Sequence, residues 1–380
     1  MNSLANIRFD FNGEDTSYLT HSLHPYPAKF PPQLPKAILE EFARPGQTVL
    51  DPFCGSGTTL IEARLQGVHA TGVDINGLSC LISQVKATPL TKPQLDLLER
   101  KIQWLSNECR SWQIGNAKTM ELPEFDRLTH WFQDNVAQEL AFLKHLIWEI
   151  EDPKIRNLFK VALSSIIVRV SNQESDTRFA AIQKNIPDGF TLNLFHERLI
   201  EFQKKIQEFS ALFNGHWANV QVYNTDARQL TFLDAESFDL VITSPPYANT
   251  YDYYLYHKFR KYWLEIDVHF AQYNEIGSRR EFSSLKKDPQ KWINDLAQCF
   301  CEMARVLKPK GLAFIVIGDS VIQKKRLEMA EVVGDFAQET GFVVRDVRSS
   351  NLDQHSRMFN PTFTQRGKQE HLILLEKKNG

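Results

Sequence analysis

The sequence has few of the features that mark secreted, membrane-bound or zinc-binding proteins. Its five cysteines include no pair at zinc-finger spacing, and their odd number favours a reducing compartment over a disulfide framework. No apolar run approaches the length that spans a membrane, and the first residues lack a basic segment followed by an apolar one. We therefore expect a cytoplasmic protein with no membrane anchor and no metal site.

An excess of charge of one sign is also absent. The 380 residues carry a formal net charge of −2, so a nucleic-acid surface would require basic residues gathered on one face. The length exceeds what one compact core usually needs. We therefore expect one main domain with a large insertion or second lobe.

Two segments with α/β patterning flank a long stretch with helical patterning. A short apolar strand at 47–50, a glycine turn, a helix at 58–66 and a second strand at 68–73 open an α/β fold, whose pattern resumes near residue 219. The stretch between them has few glycines and shows helical spacing at 95–112, 131–150, 155–170 and 192–213. The predicted division is an N-terminal arm at 1–34, a main domain at 35–87 and 216–380, and a helical insertion at 88–215.

The glycine turn after the first strand reads D-P-F-C-G-S-G-T-T at residues 51–59. Gly55 and Gly57 let a ligand approach the backbone because they lack a Cβ, and the next helix can hold a carboxylate at its N-terminus. The turn lacks the third glycine of the G-x-G-x-x-G pattern and the lysine of a P-loop. Asp51 would repel a pyrophosphate, but it suits an ammonium group. The turn therefore favours S-adenosylmethionine (SAM) as ligand, and a purely structural turn is the alternative.

Two further carboxylates suit the rest of that ligand. Asp74 ends the second strand roughly 20 residues after the turn, where a carboxylate can accept hydrogen bonds from ribose hydroxyls. Asp226 ends the third α/β strand, and it is placed to accept from the adenine amino group.

A second turn, V-I-T-S-P-P-Y at residues 241–247, also follows an apolar strand. An exocyclic amine of cytosine or adenine is a poor nucleophile because its lone pair is delocalised into the ring. Acceptors aimed at its N–H groups correct this, and the Ser244 side chain and the Pro245 carbonyl can supply them. Pro245 and Pro246 hold that carbonyl rigidly, and Tyr247 offers a ring face to a base that has left the stack. The structural alternative is a proline turn that closes the strand.

Together the two turns resemble the N4-cytosine and N6-adenine DNA methyltransferase family. The first resembles the SAM-binding motif of that family and of some tRNA guanine methyltransferases, and H-P-Y-P-A-K-F-P-P at 24–32 resembles its extra SAM-binding motif. In this family S-P-P-Y with serine first is associated mainly with cytosine N4. The resemblance implies a Rossmann-like class I SAM-dependent methyltransferase fold, which is α/β with a mostly parallel seven-stranded sheet. The large α-helical insertion departs from that pattern.

The candidate site residues form three groups. The catalytic candidates are Ser244, Pro245, Pro246 and Tyr247. The cofactor-binding candidates are Tyr26, Pro27, Ala28, Lys29, Asp51, Pro52, Phe53, Cys54, Gly55, Ser56, Gly57, Thr58, Asp74, Ile75, Asp226, Ala227 and Thr243. Aromatic and basic side chains after the catalytic turn suit nucleic acid, although an aromatic helix packed on the core is an equally good interpretation. These candidates are Tyr251, Tyr254, Lys258, Arg260, Arg279, Arg280 and Arg366.

The sequence thus predicts a site-specific DNA methyltransferase that uses SAM to modify the exocyclic N4 of a flipped-out cytosine in double-stranded DNA. Adenine N6 is the near alternative. An RNA guanine-N2 methyltransferase and a non-catalytic SAM-fold protein that binds nucleic acid are the others. The family resemblance makes a cognate restriction endonuclease a candidate partner, and the sequence leaves monomer and dimer equally open.

Overall fold

The computed structural model describes residues 3–8, 11, 13–116, 119–213, 218–322, 325–351 and 368–378. The strands are β1 (Thr48–Asp51), β2 (His69–Asp74), β3 (Gln173–Ser175), β4 (Arg178–Ala181), β5 (Val220–Asn224), β6 (Phe238–Thr243), β7 (Leu307–Gly318), β8 (Ser320–Ile322), β9 (Lys325–Leu327), β10 (Phe342–Asn351) and β11 (Gln369–Lys377). The α-helices are α1 (Gln33–Phe42), α2 (Thr58–Leu65), α3 (Gly77–Lys86), α4 (Lys92–Ser111), α5 (Leu128–Trp131), α6 (Asp134–Trp148), α7 (Pro153–Val170), α8 (Phe190–Ala211), α9 (Tyr253–Tyr256), α10 (Lys258–Leu264), α11 (His269–Asn274), α12 (Arg279–Ser283), α13 (Pro289–Val306) and α14 (Met329–Glu339).

A seven-stranded sheet in the order β10-β11-β7-β6-β1-β2-β5 forms the centre of the molecule. The pairs from β7 to β5 are parallel, whereas β11 runs antiparallel to both of its neighbours. The helical segment α3 to α8 lies between β2 and β5 in the sequence. The predicted fold class is therefore confirmed, including its large helical insertion.

The strand order reverses at β1, and this reversal positions the site. The chain passes from β1 outward to β2 and β5, and β6 then returns to pair with the other edge of β1. In open α/β sheets a crevice forms beyond the carboxyl ends of the strands at such a switch point. The last residues of β1 and β6 are Asp51 and Thr243, so both turns singled out in the sequence begin at this crevice.

The helical segment builds a core of its own around α7. Asp152 caps α7 by accepting hydrogen bonds from the Lys154 and Ile155 N–H groups, and Pro153 occupies the first turn. Helix α7 packs against α3, α6, α8 and α10. The fully buried Phe259 and Trp263 of α10 belong to the same hydrophobic cluster as the helical segment. The part of the chain after the catalytic turn therefore shares a core with the helices.

Within the described ranges, no helix has the length and apolarity needed to cross a membrane.

Residues 308–311 carry a Lys-Pro-Lys-Gly pattern that predicts a turn before a strand, but they lie inside β7. The pairing with β6 jumps from Phe238↔Leu307 to Leu240↔Leu312, and Lys310 has φ 61. The extra residues form an irregular bulge in β7. Residues typical of a turn are therefore present, but the strand continues through them.

The first prediction concerns Gly72 of β2. A Cβ at Gly72 would lie 2.6 Å from Leu60 Cδ1 and 2.9 Å from Cys54 Sγ, directly behind the glycine turn. Overpacking of this kind costs about 1–3 kcal/mol, so Gly72→Ala should lower the urea midpoint. Gly334→Ala in α14 is the matched control, because no atom lies within 4 Å of a Cβ built there. Alanine in a helix is favoured over glycine by about 0.5–1 kcal/mol, so the control should raise the midpoint. Equal shifts in the two variants would contradict this packing.

Candidate active site

A cleft opens at the carboxyl ends of β1, β2 and β6. The space between its lining atoms amounts to about 1040 Å³, part of it open to solvent. The lining residues come from seven stretches of sequence: Tyr26, Ala28, Lys29 and Phe30; Asp51 to Ser56 and Thr58; Asp74 to Asn76; Asp226 and Ala227; Ser244 to Tyr247; Tyr253 and Tyr254; and Ala271 and Asn274 to Ile276. The predicted cofactor turn and the predicted catalytic turn therefore face one cleft.

The glycine turn has the backbone geometry that its sequence requires. Gly55 and Gly57 have φ values of 47 and 82, in the left-handed region that favours glycine. A Cβ on Gly57 would lie 2.7 Å from the Ser83 Cβ, and one on Gly55 would lie 3.3 Å from the Tyr26 ring. Helix α2 begins at Thr58, immediately after the turn. Its first N–H groups are therefore available for a carboxylate.

Two buried carboxyl groups lie beside the turn. Asp74 accepts hydrogen bonds from the Gly55 N–H at 2.9 Å and the Asn76 N–H at 2.8 Å, and Asp51 accepts one from the Thr243 hydroxyl at 2.6 Å. Burial raises the pKa of each to about 6, although these hydrogen bonds oppose the rise. No Lys, Arg or His of the described residues forms a salt bridge with either. Their negative charge is thus not neutralised by a direct ion pair.

Glu275 adds a third acid to the cleft. Its carboxylate accepts hydrogen bonds from the Tyr253 N–H at 2.8 Å and the Tyr254 N–H at 3.4 Å. Burial raises its pKa to about 8. Three acids with raised pKa values in one cleft would be stabilised in their charged form by a cationic ligand. SAM carries a sulfonium and an ammonium group, so the residues present fit that cofactor.

The N-terminal motif packs against the same cleft. The Tyr26 hydroxyl lies 2.7 Å from the Ser79 hydroxyl, and its ring stacks on His257 at a centroid distance of 5.1 Å. The Lys29 ammonium donates to the His21 carbonyl at 2.9 Å, which holds the arm in place. Ala28, with φ 55, lines the cleft beside Tyr26 and Lys29.

Asp226 lines the cleft but is also engaged by an arginine. The Arg228 guanidinium contacts both of its carboxylate oxygens, at 2.6 and 3.0 Å, and also reaches Asp295 at 2.9 Å. Oδ1 also accepts from the Arg228 backbone N–H at 2.9 Å and Oδ2 from Nε at 3.1 Å, so each carboxylate oxygen already meets two N–H groups of Arg228. Ala227 is buried beside it.

The catalytic turn is held from two sides. The Trp292 indole N–H donates to the Pro246 carbonyl at 3.3 Å, whereas no donor among the described residues reaches the Pro245 carbonyl. The Tyr247 hydroxyl donates to Glu370 Oε1 at 2.9 Å, and the Ser244 hydroxyl lies 3.5 Å from the Tyr247 oxygen. The Pro245 carbonyl and the lone pairs of Ser244 are therefore free to meet a ligand.

Most of the predicted cofactor and catalytic residues meet in this cleft. The exceptions are Pro27, Gly57 and Thr243, which do not line it. Gly57 shapes the turn against Ser83, and Thr243 holds Asp51 by a hydrogen bond. In the described ranges, no group of histidine, cysteine and acidic side chains has an arrangement that could hold a metal ion.

The predicted nucleic-acid residues are divided between surface and interior. Arg260 is 1% exposed: its guanidinium donates to the Ser164 carbonyl at 3.0 Å and pairs with Asp176. It supports the packing of α10 on α7, and its placement does not suit contact with a phosphate. The Lys258 ammonium lies 5.6 Å from the centre of the Tyr262 ring. Tyr251 is half-buried with its ring against Tyr253.

Of the other four residues of that group, one lines the cleft and two bond to the segment after the catalytic turn. Tyr254 lines the cleft. The Arg279 N–H donates to the Tyr251 carbonyl at 3.2 Å, and the Arg280 N–H donates to an Asp252 carboxylate oxygen at 3.0 Å. These bonds tie α12 to the segment after the catalytic turn, with the Arg280 side chain exposed and Arg279 half-buried. Arg366 lies outside the described residues.

Several cleft-lining residues are missing from the three predicted groups. The cleft-lining residues absent from the prediction are Phe30, Asn76, Tyr253, Ala271, Asn274, Glu275 and Ile276. Asn76 had a signal, because an asparagine that precedes a helix is a common cap, and its side chain does accept from the Leu78 N–H. Glu275 and Glu370 had none, because each reaches its partners only through the tertiary fold.

Comparison with known proteins assigns the family. A family model described as DNA methylase matches residues 9–84 and 238–379. The type II methyltransferase M.MvaI of Kocuria varians is 26% identical over 82% of this chain and 80% of its own. The type II methyltransferase M.MjaII of Methanocaldococcus jannaschii is 24% identical over 94% of this chain and 81% of its own.

Two other likenesses are weaker. The structure of TTHA0409, a DNA modification methylase homologue from Thermus thermophilus complexed with SAM, is 18% identical over 41% of this chain and 52% of its own, with a TM-score of 0.26. A tRNA (guanine(10)-N2)-dimethyltransferase of Methanothermobacter thermautotrophicus is 42% identical, but over only 13% of this chain and 16% of its own.

The acids of the cleft predict how cofactor affinity depends on pH. Asp51 and Asp74 have pKa values raised to about 6, so both are ionised at pH 7.5 and take up protons as the pH falls through 6. A protonated carboxyl is a weaker acceptor and no longer attracts a cation, so SAM affinity should fall between pH 7.5 and 5.5. Asp74→Asn should bind SAM more weakly at pH 7.5 and show a shallower pH dependence.

Titration calorimetry at several pH values measures both effects. Asp96→Asn is the control, because Asp96 lies on α4 in an exposed pair with Lys92 and does not line the cleft. An unchanged dissociation constant in Asp74→Asn would show that Asp74 does not bind the ribose.

Proposed function

Because the chain belongs to the N6/N4 DNA methylase family, we propose that it transfers a methyl group from SAM to the exocyclic N4 of a flipped-out cytosine at specific DNA sites. The observation that carries this proposal is the single cleft in which Asp51 and Asp74 face the S-P-P-Y turn. SAM is the cofactor of this family, and it supplies an electrophilic methyl group when bound. The chain is a DNA methyltransferase, and the choice of cytosine N4 is the proposed refinement.

The cofactor end of the cleft is assigned as follows. Asp74 accepts from the ribose hydroxyls, and Asp226 with Ala227 contacts the adenine. The turn from Asp51 to Thr58 surrounds the methionine end, with Asp51 on the side of its ammonium group. Tyr26, Ala28 and Lys29 close the same end, because the arm that carries them packs on this wall.

The acceptor end is assigned to the catalytic turn. The Ser244 oxygen and the Pro245 carbonyl accept the two N–H groups of the target amine, which directs the nitrogen lone pair towards the cofactor. Tyr247 contacts a face of the base. The Trp292 bond to the Pro246 carbonyl fixes the turn, so these acceptors need little reorganisation when the base enters.

Serine at the first position of S-P-P-Y supports cytosine N4, through the association of that residue with N4 enzymes. Adenine N6 is the second candidate, because a neutral hydroxyl can accept from either amine. The short match to a tRNA guanine-N2 enzyme is the reason to test RNA as an acceptor as well. A non-catalytic role would leave the free acceptors at Ser244 and Pro245 without a use.

The remaining assignments concern the parts of the chain and their partners. We assign residues 1–34 to a cofactor-binding arm, 35–87 and 216–380 to the catalytic domain, and 88–215 to a helical insertion for target recognition or partner contact. The family match in two blocks, 9–84 and 238–379, supports this division because it omits the helical segment. We propose double-stranded DNA as substrate, with Arg279 and Arg280 near its backbone, a cytoplasmic location, and a cognate restriction endonuclease as partner.

Mapping of modified bases tests the proposal directly. The chain is expressed in a host without DNA methylation, and its genomic DNA is read by single-molecule sequencing. We expect N4-methylcytosine in one short, fixed sequence. N6-methyladenine would move the target to adenine. Unmodified DNA together with methylated RNA from the same cells would overturn the DNA assignment.

Removal of the Ser244 hydroxyl tests its role as an acceptor. Ser244→Ala should lower the single-turnover rate of methyl transfer by about 10²–10³, the usual cost of one preorganised hydrogen-bonding group in an active site. SAM affinity should survive, because Ser244 is assigned to the base and not to the cofactor. Tritiated-methyl transfer and calorimetry separate the two effects. An equal loss in both would show that Ser244 binds the cofactor instead.

A further inference from the structure

Tyr247 rests on a seat formed by two neighbouring strands. Glu370 of β11 pairs directly with Gly318 of β7. The Tyr247 ring lies over Gly318 so closely that a Cβ there would be 3.0 Å from its Cε2, and the hydroxyl donates to Glu370 Oε1 at 2.9 Å. Gly318 leaves room for the Tyr247 ring because it has no side chain, and the neighbouring Glu370 carboxylate accepts the hydrogen bond from the Tyr247 hydroxyl. The seat therefore fixes both the plane and the hydroxyl direction of Tyr247.

This contact determines the direction of a second hydrogen bond. An ionised carboxylate can only accept, so the Tyr247 O–H proton points towards Glu370. The Tyr247 oxygen is then left to accept, and the Ser244 hydroxyl is directed at it across a long contact of 3.5 Å. Ser244 thereby turns its own proton away from the cleft. Both lone pairs of its oxygen remain for an incoming N–H group.

We propose that Glu370 is a positioning residue that acts through Tyr247 to hold Ser244 as a hydrogen-bond acceptor and to receive the proton that the methylated amine releases. This inference rests on the proposed function, in which Ser244 accepts from the target amine. It adds a group on the last strand of the sheet, remote in sequence from the catalytic turn.

The proton transfer balances along this chain. The amine nitrogen gains a methyl group and must lose one proton to become neutral. That proton passes to the Ser244 oxygen as the Ser244 proton passes to the Tyr247 oxygen and the Tyr247 proton passes to Glu370. Each hydroxyl ends with one proton, and the Glu370 carboxyl is neutral until it releases its proton to solvent.

The charges around Glu370 suit this role. Burial raises its pKa above the usual range, and the Tyr247 hydrogen bond and His371 oppose the rise. Tyr253 also faces Tyr247 from the cleft, and Ser350, uncharged, is opposite Glu370 on β10. His371 belongs to a neighbouring cluster of charged groups, in which Asp319 bonds to His371 and Arg326, and Lys368 lies nearby. A raised pKa makes the Glu370 carboxylate a better proton acceptor near neutral pH.

The first test measures the hydrogen bond without any methyl transfer. Carbon NMR of protein labelled at the glutamate carboxyl gives the Glu370 titration, assigned by its loss in Glu370→Gln. The Tyr247 O–H stabilises the ionised form, so Tyr247→Phe should raise the pKa of Glu370. Glu376→Gln is the matched control and should leave the Glu370 titration unchanged, because Glu376 lies on the same strand but pairs with the exposed Arg345. An unchanged Glu370 titration in Tyr247→Phe would overturn the proposal.

The second test measures single-turnover transfer to genomic DNA from a host without methylation, at saturating SAM. Glu370→Gln should lower the rate by about 10²-fold or more, because its amide would donate to Tyr247 and reverse the chain of hydrogen bonds. In the wild type the rate should fall as the pH drops through the raised pKa of Glu370, since only the carboxylate accepts. Glu370→Gln should lose this dependence while it keeps its SAM affinity and melting temperature.

A double-variant cycle distinguishes relay from simple support. Glu370→Gln should cost nothing further in a Tyr247→Phe background, because the chain is already broken there. Additive losses, or a wild-type pH profile in Glu370→Gln, would overturn the inference. Failure of the wild type to transfer any methyl group would instead count against the proposed function, and the NMR titration would still decide the role of Glu370.

Discussion

The hydrogen bond from the Thr243 hydroxyl to Asp51, 2.6 Å long, joins the two halves of the site. It exists because β1 and β6 are neighbours in the sheet, although the two bonded residues are 192 positions apart in the chain. Both strands end at the point where the strand order reverses, and their last side chains therefore meet. One short bond thus fixes the cofactor turn relative to the catalytic turn. In the proposed reaction, this bond and the β1–β6 pairing together would set the distance between the methyl donor and the acceptor base.

The same crevice explains the electrostatics of the cleft. The fold brings the carboxyl groups of Asp51, Asp74 and Glu275 together in the cleft, where burial raises the pKa of each. None of the three has a described ion-pair partner. Their hydrogen bonds come from backbone N–H groups and a hydroxyl, which orient the carboxyl groups, while burial and the nearby Lys261 act in opposite directions on the pKa values of Asp74 and Glu275. Such a cleft is less favourable when empty than when it holds a cation. A neutral cofactor of the same shape would gain little from these three groups.

The two turns could be predicted from the sequence because the residues that shape each turn are close together in the chain. Glycines at 55 and 57, the acids at 51 and 74, and consecutive prolines at 245 and 246 act within a few residues. The two glycines adopt left-handed backbone angles, and Asp51, Asp74 and the prolines line one cleft. The first two sheet strands, α2 and the long helices α4, α6, α7 and α8 followed from apolar spacing to within a few residues. Arg260 shows where this reasoning fails: its basic, aromatic surroundings suit a nucleic-acid surface, yet the fold buries it against α7. Composition cannot distinguish the two faces of a helix, and the contacts of Glu275 and Glu370 exist only in the tertiary structure.

The position of α10 has a further consequence for the cleft. Its Phe259 and Trp263 belong to the core of the helical segment, while His257, just before it, stacks on Tyr26 of the N-terminal arm. The stretch after the catalytic turn is therefore held between the N-terminal arm, which contributes few lining residues, and the helical segment, whose described residues contribute none. Tyr253, Tyr254 and Glu275 take their positions in the cleft from that clamp. A change of packing in the helical segment would move α10, and with it the wall that Glu275 forms. The helices are thus mechanically connected to the site even though the family match does not include them.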